Sequence, residues 1–236
     1  ASAFNTVTFE SKSGTNTDVT IKYSTSDATL VLNGTSFVSF ENLTIDHKSG
    51  TYGNCTRIDG KASNLHFKGV VFEGVEVKHT GAESANVYFT PNAPMSDIAF
   101  ADCEINNGSV GILKGGQSAD AMDSKTSITG TLFFNQYESG LALSNEDAPL
   151  ISNNVMSTLS TYGSYKAINL DNVANNVIIS NNIVNAANGS LGLAMNNCVG
   201  QGTNLGQISN NSFAVGGTGD AYGVYLSGTT DNQVLN

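Results

Sequence analysis

The pentapeptide ISNNV at Ile151–Val155 returns as ISNNI at Ile179–Ile183 and as ISNNS at Ile208–Ser212, at intervals of 28 and 29 residues. Each copy places two asparagines between short runs that are rich in apolar residues. Asn tolerates a positive φ, so each pair predicts a corner between two strands. In a repeated structure, stacked Asn side chains are also expected to satisfy backbone groups at successive corners.

A second strand-like unit, typically Gly-apolar-x-apolar, marks the same period in the rest of the chain. Its apolar anchors are Leu32, Ile58, Val87, Ile112, Leu141, Ile168, Leu193 and Val224, which are about 27 residues apart on average. In the first half, motifs that begin at Phe40, Phe67 and Phe100 occupy the middle of each period. Each period therefore holds about three short strands separated by Asn or Gly corners.

Leucine-rich repeats are the alternative repeat class, because they have about the same length and share the L-x-x-L-x-L spacing of the Phe motifs. They need Asn three residues after the last apolar position, where this chain has Lys48, Val75 and Gly108. Their usual helical return is also missing. The pattern instead predicts an all-β fold, a right-handed parallel β-helix of about eight coils that occupies residues 1–236 as one domain.

Composition agrees with an all-β solenoid and excludes several function classes. The 29 Asn and 25 Gly among 236 residues argue against a helical protein, because these residues are poor helix formers. With a net charge of −10 and scattered basic residues, the chain is not expected to bind nucleic acid. No apolar run reaches the length of a membrane span. Three cysteines without a C-x-x-C pair predict small core or turn thiols rather than a disulfide framework or a zinc site.

Through the ISNN units and the Gly-apolar-x-apolar units, the whole chain resembles secreted bacterial right-handed parallel β-helix proteins of the pectate-lyase-like superfamily. The opening segment 5–34 looks like the first coils of large cell-surface β-helix proteins. Since the sequence starts without Met and stops in a strand-like run, we expect a piece of a longer multidomain surface protein with flanking domains. The superfamily includes polysaccharide lyases, hydrolases, epimerases and adhesins, so the resemblance does not select one activity.

One outward-facing strip concentrates charge and an aromatic ring. Equivalent positions of successive coils lie about 4.8 Å apart, and the residue after each anchor is expected to face outward. Arg57, Asp59 and Lys61 alternate along one predicted strand, with Asn33 below and Tyr88 above. Such a face can bind a sugar or a carboxylate by charge-assisted hydrogen bonds and ring stacking. The sequence therefore predicts these five residues as a ligand-binding face, and a solvated charged stripe is the alternative interpretation.

Catalytic residues are not predicted on this face. A glycosidase needs two carboxyl groups about 5 to 9.5 Å apart, whereas Asp171 lies four coils from Asp59, about 19 Å away. Lys61 or Arg57 could act as the base of a lyase, but no calcium-ligand cluster accompanies them.

Two histidines are weaker candidates. Asp46 and His47 complete an I-D-H tripeptide similar to one in pectate lyases, although we interpret it as a turn. His79, beside Glu76 and Glu83, is interpreted as a loop residue rather than a proton shuttle.

Lys114 falls on a column that should point inward, which predicts a shifted register in that coil. No cofactor is expected. A weak Ca²⁺ site is the alternative, at loop acids of the segments Asp120–Asp123 and Asn145–Asp147.

The function expected from the sequence is recognition rather than chemistry. We expect a secreted or cell-surface bacterial module for polysaccharide or glycan recognition, adhesion or structural display. A carbohydrate-active enzyme, namely a polysaccharide lyase or an epimerase, is the alternative.

Overall fold

The computed structural model describes residues 1–23, 27–48, 51–188, 190–202, 205–217 and 219–235. These residues form a parallel β-solenoid of about eight coils. Within the described ranges, the single helical element is the 3-10 turn Ala82–Ser84. No described helix is long and apolar enough to cross a bilayer. The predicted all-β parallel solenoid is confirmed, and its handedness stays a prediction.

Each coil crosses three strand lines, which we call faces A, B and C. In chain order the strands are β1 (Val7–Glu10), β2 (Thr20–Lys22), β3 (Ala28–Asn33), β4 (Ser36–Glu41), β5 (Thr44–Asp46), β6 (Asn54–Asp59), β7 (Ser63–Lys68), β8 (Val71–Glu73), β9 (Val87–Phe89), β10 (Ser96–Ala101), β11 (Glu104–Asn106), β12 (Val110–Gly115), β13 (Asp123–Thr129), β14 (Leu132–Phe134), β15 (Ser139–Asp147), β16 (Leu150–Ser152), β17 (Val155–Thr158), β18 (Lys166–Ala174), β19 (Ile178–Ser180), β20 (Ile183–Ala186), β21 (Leu191–Asn196), β22 (Gly206–Ser209), β23 (Ser212–Val215), β24 (Tyr222–Ser227) and β25 (Asn232–Leu235).

Face A contains every third strand from β3 to β24, face B every third strand from β1 to β25, and face C every third strand from β2 to β23. We number the coils by their face A strands, so coil 1 begins at β3 and coil 8 at β24.

The core of face B is a ladder of identical residue types. Phe9, Phe40, Phe67 and Phe100 stack with ring centroids 5.1, 5.3 and 4.9 Å apart and planes within 12° of parallel. The strand spacing of about 4.8 Å is close to the separation that offset aromatic rings prefer, so equal residues in successive coils pack well. Isoleucines continue the column at positions 128, 151, 179 and 208. The predicted apolar ladder is confirmed.

The ISNN repeats form the corner between faces B and C. Asn153, Asn181 and Asn210 have φ values of 57°, 56° and 54°. The asparagine after each of them turns into the core. Asn154 N–H donates to Oδ1 of Asn182 at 3.0 Å, and Asn182 N–H donates to Oδ1 of Asn211 at 2.9 Å. The predicted stack of asparagines that satisfies backbone groups at successive corners is confirmed.

The glycine of the Gly-apolar-x-apolar unit serves packing. A Cβ on Gly111 would lie 2.7 Å from the ring of Phe133, and one on Gly192 would lie 2.6 Å from that of Phe213. Each glycine is the second residue of its face A strand, and a Cβ there would also lie 2.4 or 2.5 Å from a backbone oxygen of the next coil. Any larger side chain would push faces A and C apart.

The register of the first two coils differs from the sequence-based alignment by two residues. Leu30 pairs with Thr56, and Thr56 pairs with Val87, so Leu32 and Ile58 are not the anchors of these coils. The side-chain directions assigned from the sequence are still correct, because side chains on a strand alternate with a period of two residues and the register differs by two. The slip arose because Gly34 was aligned inside the strand, whereas it lies after the end of β3 with φ of 61°.

The predicted register shift at Lys114 is wrong. Ile112 and Lys114 pair in register with Leu141 and Leu143, and the Lys114 side chain points into the core. It lies between Asp123 and Glu146, whose side chains are also fully buried. Asp123 and Glu146 belong to strands β13 and β15, so the prediction that they are loop acids is wrong.

Candidate functional site

An open cleft of about 350 Å³ lies on the outer surface of face A in the first three coils. Its floor contains Arg57 on β6 and Tyr88 on β9, which are direct neighbours across the two parallel strands. Its walls come from connections between face C and face A. The lining residues are Asp27, Tyr52, Gly53, Asn54, Arg57, Ala82, Glu83 and Tyr88.

The guanidinium of Arg57 is held by a neighbour on its own strand. Arg57 Nε donates to Oδ2 of Asp59 at 3.1 Å, and the two side chains keep 29% and 24% of their surface exposed. Since the terminal nitrogens of Arg carry further donors in a fixed plane, this pair orients the guanidinium while leaving it in contact with solvent. Asp59 itself does not line the cleft, and its register neighbour on β3 is Asn33.

The structure brings together only part of the predicted face. Arg57 and Tyr88 meet in the cleft, and Asp59 supports Arg57 from beside it. Asn33 is exposed on β3 as the strand neighbour of Asp59, two coils away from Tyr88. Lys61 is not on the strand at all, because β6 ends at Asp59 and Gly60 turns the corner with φ of 69°. The prediction that Lys61 alternates along the same strand is therefore wrong.

Sequence reasoning missed the walls of the cleft. Tyr52 lies between β5 and β6, Glu83 lies in the 3-10 turn between β8 and β9, and Asp27 precedes β3. His79 Nε2 lies 3.4 Å from Oε1 of Glu83, and its ring centroid is 5.2 Å from that of Tyr52. The available signal was loop length, because the connection from β8 to β9 is much longer than the one from β11 to β12.

His47 supports one wall from below and is fully buried. Its Nδ1 is 2.9 Å from the hydroxyl of Thr29, and its Nε2 is 3.1 Å from the backbone oxygen of Tyr52. Gly53, with φ of 138°, lies directly over the ring, where a Cβ would clash. His47 therefore fixes the segment that carries Tyr52. Ile45 and Asp46 belong to β5 and His47 follows the end of that strand, so the interpretation of the whole tripeptide as a turn is wrong.

Asp46 anchors the same corner. It forms an ion pair with Lys22 at 3.1 Å and accepts the backbone N–H of Lys48 at 2.9 Å. Burial acts to raise the pKa of Asp46, but the Lys48 N–H and the Lys22 ammonium outweigh it, and the pKa is lowered on balance.

A second depression of about 240 Å³ continues along face A over coils 4 to 6. Leu113, Ala142 and Asn169 follow Tyr88 in the same outward column. Gly81 N–H, at the border of the two depressions, donates to Oε2 of Glu138 at 2.9 Å. The loop 74–86 is thus tied down across the surface, and the depression beyond it is lined by the charged side chains of Glu138 and Lys166.

Neither a metal cluster nor a reactive thiol stands out in the described part of the chain. No group of three or more His, Cys, Asp or Glu residues there could hold a metal ion. Cys55, Cys103 and Cys198 are free and buried, which confirms the predicted core thiols. Burial raises the pKa of all three thiols, that of Cys103 to about 12, so they remain protonated.

Comparison with protein-family models, with curated proteins and with solved structures gives no match.

Proposed function

We propose that this chain is a secreted or cell-surface module, of the pectate-lyase-like β-helix type, that binds a polysaccharide or glycan in the cleft around Arg57. The observation that carries the proposal is the convergence of Arg57 with Tyr52 and Tyr88 in one open, strand-floored depression. A location outside the cell or on its surface fits a chain whose polar residues are mainly amides and hydroxyls and whose charged content is only 13%. Adhesion or structural display is the biological role that such binding would serve.

The chemistry of the cleft suits a sugar. Sugar rings offer apolar faces that stack on aromatic side chains, and hydroxyls that accept hydrogen bonds from a guanidinium. Arg57 is preoriented by Asp59, and Tyr88 stands on a paired strand, so little conformational freedom is lost on binding. The depression over coils 4 to 6 extends the same surface along the axis, as an elongated ligand would need.

A carbohydrate-active enzyme is the second candidate, because the cleft also contains two carboxylates that the sequence columns did not predict. Asp27 and Glu83 both line it with Arg57, and His79 lies beside Glu83. These groups could supply the acid and the base of a lyase or an epimerase.

Binding is tested with the purified chain on a glycan array, followed by titration of the best ligand. Tyr88→Ala should lose about 1 kcal/mol of binding free energy through stacking. Arg57→Ala should lose about 1.5 to 3 kcal/mol through a charged hydrogen bond. The control is Tyr225→Ala, which removes an exposed tyrosine from the same column in coil 8. Unchanged binding by the Arg57→Ala/Tyr88→Ala double variant would show that this face is a solvated charged stripe and not the binding site.

Turnover separates the two candidates. The chain is incubated with neutral and uronate polysaccharides, with and without Ca²⁺, and the ultraviolet absorbance of unsaturated products and the release of reducing ends are followed. Recognition predicts binding without turnover. Turnover that disappears in a Glu83→Gln variant would replace the recognition proposal with the enzymatic one.

A further inference from the structure

A lysine and two carboxylates meet inside the core between coils 4 and 5. Lys114 Nζ, on β12, lies 2.5 Å from Oδ2 of Asp123 at the start of β13 and 2.5 Å from Oε1 of Glu146 on β15. Asp123 and Glu146 are register neighbours, and all three side chains are completely inaccessible. The Phe89 ring, with its centroid 5.6 Å from Nζ, closes the apolar side.

This trio is an unusual way to fill a core. One ammonium cannot neutralise two carboxylates, and burying charged groups is costly even when they are paired. Replacement of such a trio by apolar residues is often neutral or stabilising in other proteins. The cleft on face A does not use it. Its geometry, a primary amine pressed against a carboxyl group in a dry cavity beside a second acid, is that of reactants for amide formation.

We propose that Lys114 and Asp123 become joined by an intramolecular amide (isopeptide) bond, with Glu146 relaying the protons. Asp123 is the electrophile because its second oxygen, Oδ1, accepts the backbone N–H of Met95 at 2.6 Å. That donor can stabilise the negative charge that develops on the oxygen during attack. Glu146 is positioned for relay because its second oxygen accepts the hydroxyl of Thr126 at 2.7 Å, while the first faces Nζ.

The reaction balances without a co-reactant. Glu146 takes a proton from the Lys114 ammonium, and the neutral amine attacks Cγ of Asp123, forming the C–N bond. Glu146 passes that proton to Oδ2 of Asp123. It then takes a second proton from the nitrogen and passes this one to Oδ2 as well. The C–O bond breaks, and Oδ2 leaves as water. The amide keeps the third proton, and Glu146 ends as it began. Burial is the main cause that raises the pKa of Glu146, which suits it to hold a proton between these steps.

The product would be a link across the corner between faces A and B, closing the loop 116–122 in coil 4. It would replace two buried charges by a neutral amide, which removes much of the cost of burying the trio. The mass of the chain records the reaction directly.

The experiment is mass spectrometry of the freshly purified chain after denaturation in acid, which separates ion pairs but not amides. We expect an intact mass lower than that of the sequence by one water. Trypsin should fail to cut after Lys114, and the peptide 79–125 should appear whole with the same deficit. An ordinary ion trio predicts the full mass and the separate peptides 79–114 and 115–125, and that result would overturn the proposal.

Variants assign the roles. Asp123→Asn should still react but lose ammonia instead of water, and Glu146→Gln should keep the full mass. Water loss by Glu146→Gln would remove Glu146 from the mechanism. A succinimide at Asp59-Gly60 would also remove water, but it would place the deficit in another peptide, leave the cut after Lys114 intact and so contradict the proposal. The mass of the wild-type chain and of its tryptic peptides decides whether the bond forms, so the test does not depend on the folding of any variant.

Discussion

Asn182 is the position at which the corner ladder can be tested most sharply. Its side chain is fully buried between two other asparagines. Nδ2 donates to the backbone oxygen of Ile151 at 3.0 Å, and Oδ1 accepts the backbone N–H of Asn154 at 3.0 Å. Substitution by Ala removes both of these bonds to backbone groups, together with the side-chain bonds that link Asn182 to Asn154 and to Asn211. The Asn154 N–H then lies in the core without its acceptor.

The main part of the expected cost follows from the two bonds to backbone groups. An orphaned buried N–H costs about 1 to 3 kcal/mol, and a lost bond to a carbonyl contributes about 1 kcal/mol more. We therefore expect Asn182→Ala to lower the free energy of unfolding by about 2 to 4 kcal/mol. Asn182→Asp should be worse at neutral pH, because a carboxylate cannot donate to the Ile151 oxygen and would be buried unpaired.

Urea unfolding of the wild type and the variants measures this change, and hydrogen exchange at the Asn154 amide localises it. Local exchange is needed because solenoid coils contact only their neighbours and can open separately. Asn185→Ala, an exposed asparagine on β20 of the same coil, is the matched control and should change stability by less than about 0.5 kcal/mol. If Asn182→Ala is as mild as that control, the ladder does not stabilise the corners.

Two further substitutions probe the core and the pH dependence. Phe67→Ala, in the middle of the buried ring stack, should lower the free energy of unfolding in urea by about 3 to 5 kcal/mol. Phe134→Ala, at a residue that is 49% exposed, should lower it far less. Equal losses would show that the ring stack does not stabilise the fold. Because the pKa of Asp46 is lowered in the folded chain, its stabilisation is complete above the ordinary value of 3.8 and is lost as the pH falls through the folded pKa. The stability difference between wild type and Asp46→Asn should shrink over that acidic range, and a constant difference would show that Asp46 is not coupled to protons.

The sequence was most informative where every coil repeats the same contact. The Ile128 to Ile208 column and the inward asparagines were legible because neighbours in space are equivalent positions one period apart. The same logic failed at Gly60, since glycine at a corner and glycine in a strand look alike in an alignment of coils. This misplacement put Asp59, instead of Arg57, beside Tyr88.

Features made by irregular segments were not predictable. Tyr52 and Glu83 reach the cleft from loops whose path no period describes. Lys114 looked misplaced because neither of its partners is near it in the sequence pattern. Asp123 lies on face B, and Glu146 lies in the next coil. Their proximity depends on the register between β13 and β15, where the long β15 bends around the corner from face A to face B.

Because the corner asparagines are interchangeable, the number of coils in the solenoid can change without a change in the residues of the cleft. Asn154 and Asn182 make the same two bonds, each to a backbone carbonyl of the coil before and to the asparagine of the coil after. A duplicated coil inserted between them would therefore find its acceptors and donors already in place. Such an insertion would move the two ends of the solenoid about 4.8 Å further apart, while the cleft around Arg57 would keep its neighbours. The length of the solenoid can therefore grow in whole coils without any change in the residues that line the cleft.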